Sequence, residues 1–145
     1  MHALTLTFLL ALATHLAVQL WLARRQIMFV GRHSGTVPDG FESAISPEEH
    51  ARAASYAAAN QQMGAVEAVY DAIVILWLTL GGGIAAVGAW ASASIASPIG
   101  SGTVHVLAVF AVLAVLGLPF AIYRTFVLEE RFGFNRTRPA VFVAD

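Results

Sequence analysis

Two long stretches of the chain contain no Asp, Glu, Lys or Arg, and the charged residues lie between and beyond them. The first stretch runs from Met1 to Ala23 and the second from Ala72 to Tyr123. An apolar α-helix needs about 20 residues to cross the hydrocarbon core of a bilayer, so the first stretch fits one crossing and the second fits two. The pattern predicts an all-α integral membrane protein with three transmembrane helices.

The second stretch must contain a break, because one helix of its length would extend about 78 Å at about 1.5 Å per residue. Ser, Gly and Pro98 cluster between Ser92 and Thr103, and such residues mark a turn. We therefore expect a single membrane domain over residues 1–145. Its predicted spans cover about residues 3–23, 66–91 and 104–127.

The arginines predict an orientation for these spans. Arg24 and Arg25 directly follow the first span, four arginines occur from Arg124 to Arg138, and the loop at 92–103 has none. Lys and Arg accumulate on the cytoplasmic side of the inner membrane. The N-terminus is thus predicted outside, and the loop and helix at 24–65 and the tail at 128–145 in the cytoplasm. A signal peptide is the alternative for the first span, but no basic residue precedes the apolar run.

The polar region between the first two spans contains a helix start at Ser46-Pro47-Glu48-Glu49. Ser46 can cap the helix, Pro47 suits its first turn, and Glu49 can reach back to the backbone N–H of the cap. The Ala-rich run that follows favours helix. We expect one helix of about 40 residues that continues into the second span. The alternative is a short surface helix that ends at a turn near Gln62 to Gly64.

Composition excludes several functional classes. The chain is 58% hydrophobic and 12% charged, which is too apolar for an ordinary soluble domain. It has no cysteine, and its net charge of −1 provides no basic surplus, so we expect no nucleic-acid partner. The five histidines show no i, i+4 pair of the kind that forms a metal site on one helix.

A few residues within the spans invite functional interpretations. We expect Gly81 to Gly83 to allow close helix packing, with local unwinding around a cavity as the alternative. Pro119 predicts a kink. Glu67 and Asp71 share one helix face near the membrane interface, where acids reach water; a catalytic pair of carboxylates is the alternative.

The most specific segment follows the third span. Its sequence, Phe126-Val-Leu-Glu-Glu-Arg-Phe-Gly-Phe-Asn-Arg-Thr137, resembles the signature that closes the N-terminal membrane domain of type I CAAX prenyl proteases, which are integral-membrane zinc metalloproteases. The preceding region is similar to bacterial members in Val37 to Phe41, in Ile45 to His50, and in Ala54 and Tyr56. The Arg-only, Ala-rich composition agrees with a bacterial origin. The resemblance covers roughly residues 24–145.

This resemblance implies a membrane barrel around an internal chamber, with zinc held by an H-E-x-x-H helix and a later glutamate. The sequence contains no H-E-x-x-H. We therefore expect no catalytic residue, metal ligand or cofactor in this chain, and zinc only in the full-length family protein. The chain alone is predicted inactive, as a fragment, a truncated product or a domain that needs the missing C-terminal protease region or a complementary subunit. Its lipid partner is the bilayer, and a peptide is the substrate that the family implies.

Residues carried over by the match are predicted to lie near the junction with the protease region, as structural or substrate-contacting residues. They are Glu129, Glu130, Phe132, Phe134 and Asn135. Two other classes stay open. One is a standalone membrane scaffold that associates through Gly81 to Gly83. The other is a small membrane enzyme of the glutathione and eicosanoid type, whose members have four spans.

Overall fold

The described part of the chain is helical. A computed structural model describes residues 3–35 and 45–144, with side chains described to residue 142, and these ranges contain no strand. The predicted all-α fold is confirmed. The helices are α1 (Ala3–His33), α2 (Pro47–Thr79), α3 (Gly83–Ser94), α4 (Pro98–Tyr123), a π-helix (Arg124–Glu129), α5 (Glu130–Phe132) and α6 (Pro139–Ala144). The sequence motif at Val37 to Phe41 lies outside the described residues.

Three helices are long and apolar enough to cross a membrane. They are α1, α2, and α4 together with its continuation to Phe132. This agrees with the three predicted transmembrane helices. Large apolar side chains such as Leu4, Ile99 and Phe110 are exposed on them, as expected for surfaces that lipid covers.

The start of α2 is a capping box, as predicted. The backbone N–H of Ser46 donates to Glu49 Oε2 over 3.0 Å, and the backbone N–H of Glu49 donates to Ser46 Oγ over 3.2 Å. The Ser46 hydroxyl also donates to Glu49 Oε2 over 3.0 Å. The two hydrogen bonds that the carboxylate accepts from Ser46 hold the pKa of Glu49 below its ordinary value, and the bond from the backbone has the largest effect. The helix then continues without a turn at Gln62 to Gly64. The alternative of a separate surface helix is therefore wrong.

The expectation of one continuous helix through Gly81 to Gly83 is also wrong. Helix α2 ends at Thr79, and α3 begins at Gly83 after Gly82, whose φ is +80°. A Cβ at Gly81 would lie 2.5 Å from the carbonyl oxygen of Trp77, and one at Gly83 would lie 3.0 Å from Cα of Leu78. The glycines therefore form a local break in the helix. This agrees with the unwinding of the alternative interpretation, and the cavity that it places there stays a prediction.

The loop expected at Ser92 to Thr103 is much shorter than predicted. Helix α3 continues to Ser94 and α4 begins at Pro98. The hydroxyl of Ser97 accepts a hydrogen bond of 3.3 Å from the backbone N–H of Gly100. Ser97 thus caps α4, and Pro98 is its first residue. Ser and Pro are also common in turns, which is why the sequence predicts a loop here.

The chain divides into two compact units, and the second comprises Tyr70–Ala121. Within it, the rings of Tyr70 and Phe120 lie 4.8 Å apart, and His105 Nε2–H donates to the carbonyl oxygen of Ile84 over 3.0 Å. Tyr70 and Ile84 are 14 residues apart in the chain, and their partners Phe120 and His105 are 15 residues apart in the opposite order. Within this unit, α4 therefore runs antiparallel to the segment from Tyr70 to Ile84.

The first unit comprises Met1–Val69 and Ile122–Asp145. In it the end of α1 is joined to the start of α2, because His50 Nε2–H donates to the carbonyl oxygen of His33 over 3.1 Å. The ring of His33 lies 4.4 Å from that of Phe29. The two helices are thus antiparallel neighbours, with Gln61 of α2 lining a groove beside Leu22 and Gln26 of α1.

Candidate functional site

The segment that carries the sequence signature lies against α2 in the first unit. The ring of Tyr56, on α2, is 5.5 Å from that of Phe132 in an edge-to-face arrangement, and 4.9 Å from that of Phe134. Aromatic pairs at such distances attract each other by about 0.5–1.5 kcal/mol beyond the burial of their area. Tyr56 therefore fixes the position of the signature segment relative to α2.

A tight turn brings both phenylalanines to Tyr56. Gly133 ends α5 with φ at +75°, a conformation that favours glycine. The carbonyl oxygen of Glu129 accepts hydrogen bonds from the backbone N–H of Phe134 over 2.9 Å and of Asn135 over 3.3 Å. The Phe-Gly-Phe pattern thus places two rings on one side of a helix end.

The polar side of the same turn is closed by Asn135. Its Nδ2–H donates to Glu130 Oε2 over 3.0 Å, and its Oδ1 accepts from the backbone N–H of Thr137 over 2.8 Å. Glu130 is exposed and Glu129 is half-buried. The carboxylate of Glu129 has no hydrogen bond or ion pair with any described residue. The structure therefore brings Glu130, Asn135 and the two phenylalanines to one turn, and the Glu129 carboxylate takes no part in the hydrogen bonds of that turn.

A second connection to α2 lies at the other end of the segment. Arg124, the first residue of the π-helix, forms an ion pair with Glu67 of α2, and both side chains are partly exposed. Nε of Arg124 is buried and has no hydrogen-bond partner among the described residues. A π-helix is rare and often occurs at functional sites. The rings of Tyr56, Phe132 and Phe134 form the Tyr56 cluster. The ion pair and the Tyr56 cluster together attach both ends of residues 124–134 to α2.

Sequence reasoning missed this ion pair and the π-helix. The sequence predicts that Glu67 reaches water; in the structure its side chain is partly exposed and is also paired with Arg124. The sequence did contain an indication of the ion pair. Glu67 and Arg124 have opposite charges, and both lie at the same end of two antiparallel predicted spans. No comparable signal marks the π-helix, because its residues would fit an α-helix equally well.

The described residues do not fit the zinc site of the proteases that the signature resembles. No three His, Cys, Asp or Glu side chains come together within residues 3–35 and 45–142. A catalytic zinc needs three protein ligands and an open position for water. The described residues do not supply such a set of ligands.

Comparison with known proteins supports the family that the signature resembles. A family model described as CAAX prenyl protease N-terminal, five membrane helices, matches residues 26–145. Searches of curated proteins and of solved structures each found no match. The matched region is well over half of the chain, and it includes Tyr56, Glu67 and the whole signature segment. The chain therefore belongs to the CAAX prenyl protease N-terminal family.

Proposed function

We propose that this chain is the N-terminal membrane domain of a zinc metalloendopeptidase related to the CAAX prenyl proteases. Its helices form part of the wall of a membrane chamber. Residues 129–135 fix the position of the catalytic region relative to that wall. The observation that carries this proposal is the attachment of the signature segment to α2 through Tyr56. Because the signature segment is attached to α2, a catalytic region that packs on Phe134 would have a fixed position relative to α2. Phe134 is 47% exposed and so is accessible for that contact.

In this proposal, zinc and peptide hydrolysis belong to the catalytic region that the chain needs as a partner. The sequence contains no H-E-x-x-H motif. The family's route of zinc-dependent peptide hydrolysis requires that motif. The chain on its own is inactive. Glu129, Glu130, Phe132, Phe134 and Asn135 act by contact with the catalytic region or with a peptide substrate, not as zinc ligands.

We further propose that the protein lies in the inner membrane with its N-terminus outside and its C-terminus in the cytoplasm. The distribution of arginines supports this orientation. It places the capped start of α2 and the Tyr56 cluster on the cytoplasmic side. A peptide substrate would then meet the junction from the cytoplasm.

Two observations favour the proposal over the other functional classes. Membership in the protease family argues against a small membrane enzyme of the glutathione and eicosanoid type. A scaffold that associates through Gly81 to Gly83 needs those glycines on an intact helix face, but they form the break between α2 and α3. Gly83 is moreover buried within its own unit.

The proposal is tested by affinity purification of the tagged chain from its native membranes. We expect a polypeptide with an H-E-x-x-H motif to be recovered, as a continuation of the same reading frame or as a separate subunit, together with bound zinc and peptidase activity. Recovery of the chain alone, with no zinc protease in its membranes, would contradict the proposal and favour a standalone scaffold.

Variants of the same preparation test the junction. Tyr56→Ala should reduce recovery of the catalytic region, or its activity, several-fold, whereas Tyr56→Phe should retain both because it keeps the ring contacts. Phe110→Ala is the matched control, because it removes an exposed ring from α4 at a distance along the chain from the signature. Equal losses in the Tyr56→Ala and Phe110→Ala variants would count against a specific role for the cluster.

A further inference from the structure

Two neighbouring grooves meet at the end of the charge-free part of α1. One has a volume of about 430 Å³ and the other of about 320 Å³. The larger is lined by Leu22, Arg25, Gln26 and Phe29 of α1 and by Gln61 of α2, and the smaller by Trp21, Arg24, Arg25 and Met28. Arg25 lines both, so the two grooves share one arginine side chain.

The charge of these grooves is positive. Helix α1 contains no acidic residue, and α2 contains none between Glu49 and Glu67. The polar groups that accompany the arginines are the neutral side chains of Gln26 and Gln61. The guanidinium carbon of Arg25 lies 5.7 Å from the centre of the Trp21 ring. This contact holds the charge beside an aromatic residue of the kind that marks the membrane interface.

Along α1 the lining of the grooves changes from apolar to polar and back to apolar. Trp21 and Leu22 lie near the end of the charge-free run, and both are exposed. The polar residues from Arg24 to Gln26 come next, and Met28 and Phe29 follow them. The first two parts have the order of a phospholipid, with acyl chains toward the bilayer and a phosphate toward water, and basic pockets at this level bind anionic headgroups.

We propose that Arg24 and Arg25 form a binding site for an anionic phospholipid. The phosphate accepts hydrogen bonds from Arg25 and Arg24, the glutamines bind the polar headgroup, and the acyl chains cover Trp21 and Leu22. Charge complementarity selects an anionic lipid over a zwitterionic one. The site requires only that α1 lies in a bilayer, so it does not depend on the proposed protease function.

The experiment is a lipid titration of the purified full-length chain in a neutral detergent, followed by native mass spectrometry. Phosphatidylglycerol is the probe, phosphatidylcholine is the zwitterionic control, and soluble glycerol phosphate tests for binding of the phosphate alone. One arginine at the membrane surface contributes about 1 kcal/mol, which is about a fivefold change in dissociation constant. We therefore expect Arg25→Gln to weaken phosphatidylglycerol about fivefold and the double variant with Arg24→Gln about 25-fold.

Arg32→Gln is the matched control, since it removes the same charge from the same helix but lines neither groove. It should change the affinity less than twofold, and none of the variants should alter binding of phosphatidylcholine. Equal loss in the Arg32→Gln and Arg25→Gln variants would overturn the proposal in favour of diffuse attraction. Equal affinity of the unaltered chain for the two lipids, or binding of glycerol phosphate with the same affinity, would also overturn it, whether or not the variants fold.

Discussion

His105 and Gly88 show how one missing side chain permits a contact between two membrane helices. His105 Nε2–H donates to the carbonyl oxygen of Ile84, and a Cβ at Gly88 would lie 2.9 Å from Cε1 of the same ring. The imidazole can reach the backbone of α3 only because position 88 has no side chain. Hydrogen bonds between membrane helices contribute about 0.6 kcal/mol on average, so steric fit matters more here than the bond itself.

We therefore expect Gly88→Ala to lower the free energy of unfolding by about 1–3 kcal/mol, the usual cost of overpacking. The measurement is reversible unfolding in detergent micelles. Gly117→Ala in α4 is the matched control, because a Cβ there meets nothing within 4 Å; it should be neutral or stabilising. In a His105→Ala background, the cost of Gly88→Ala should largely disappear. A cost that stays the same without the imidazole would contradict this explanation.

The capping box at the start of α2 makes the stability of that end depend on pH. The pKa of the Glu49 carboxyl is lowered from about 4.5 by hydrogen bonds from the backbone and side chain of Ser46, and Arg52 lowers it further. A lowered pKa means that folding favours the ionised form. The contribution of Glu49 is therefore complete above the unfolded pKa and is lost as the pH falls through the folded value.

We expect an NMR titration to find the pKa of the Glu49 carboxyl below the ordinary value of a glutamate, and the first turn of α2 to fray as the pH falls through that lowered pKa. Glu49→Gln should remove the pH dependence, since an amide oxygen can still accept the bond from Ser46. Ser46→Ala should weaken the helix start at every pH by about 1 kcal/mol. Fraying that persists with the same pH dependence in Glu49→Gln would assign the effect to another group.

At the scale of helices, Gly81 to Gly83 determine where α2 ends. The φ of +80° at Gly82 costs a residue with a Cβ about 1–2 kcal/mol. We expect Gly82→Ala to destabilise the protein by that amount and Gly82→Asn to cost less, because Asn tolerates the left-handed region. Unfolding in micelles measures both. Gly64→Ala in α2 is the control, since it has open space and normal helical geometry, and it should stabilise by up to about 1 kcal/mol. Equal effects of Ala and Asn at position 82 would contradict the argument.

Sequence patterns predicted helices and their starts better than they predicted interruptions. The capping box was correct because its bonds involve residues only three positions apart. The end of α2 at Thr79 was missed because a glycine run in a membrane helix has two physical uses, close packing and unwinding, and the local sequence is the same for both. Ser97 and Pro98 were assigned to a loop because residues that begin helices also form turns.

The candidate site was predictable only in part, because its contacts join residues that are far apart in the chain. The Phe-Gly-Phe-Asn block identified the family, yet the partner of its rings, Tyr56, is more than seventy residues earlier in the chain. Contacts over such a distance depend on the antiparallel placement of whole helices. The pairing of Glu67 with Arg124 depends on the same placement, and neither residue by itself indicates its partner.

At the scale of the whole molecule, the distribution of arginines gives a topology that can be measured. The short connection between α3 and α4 carries no charge, whereas both other polar segments carry four arginines each. We expect a reporter fused after Gly100 to be periplasmic, and one fused after Gly35 to be cytoplasmic, because arginines are retained on the cytoplasmic side. Alkaline phosphatase and a fluorescent protein give opposite signals at each position.

Arginines added to the uncharged connection provide a sharper test of the same explanation. Ser94→Arg with Ser101→Arg places two positive charges beside the α3–α4 connection and leaves both polar segments unaltered. If arginines set the orientation, these substitutions should raise the fraction of chains whose Gly100 fusion is cytoplasmic. The matched Ser94→Gln and Ser101→Gln pair should leave it unchanged. A cytoplasmic Gly100 fusion in the unaltered chain would reverse the orientation and move the Tyr56 cluster to the outer face, where it could not receive a cytoplasmic peptide.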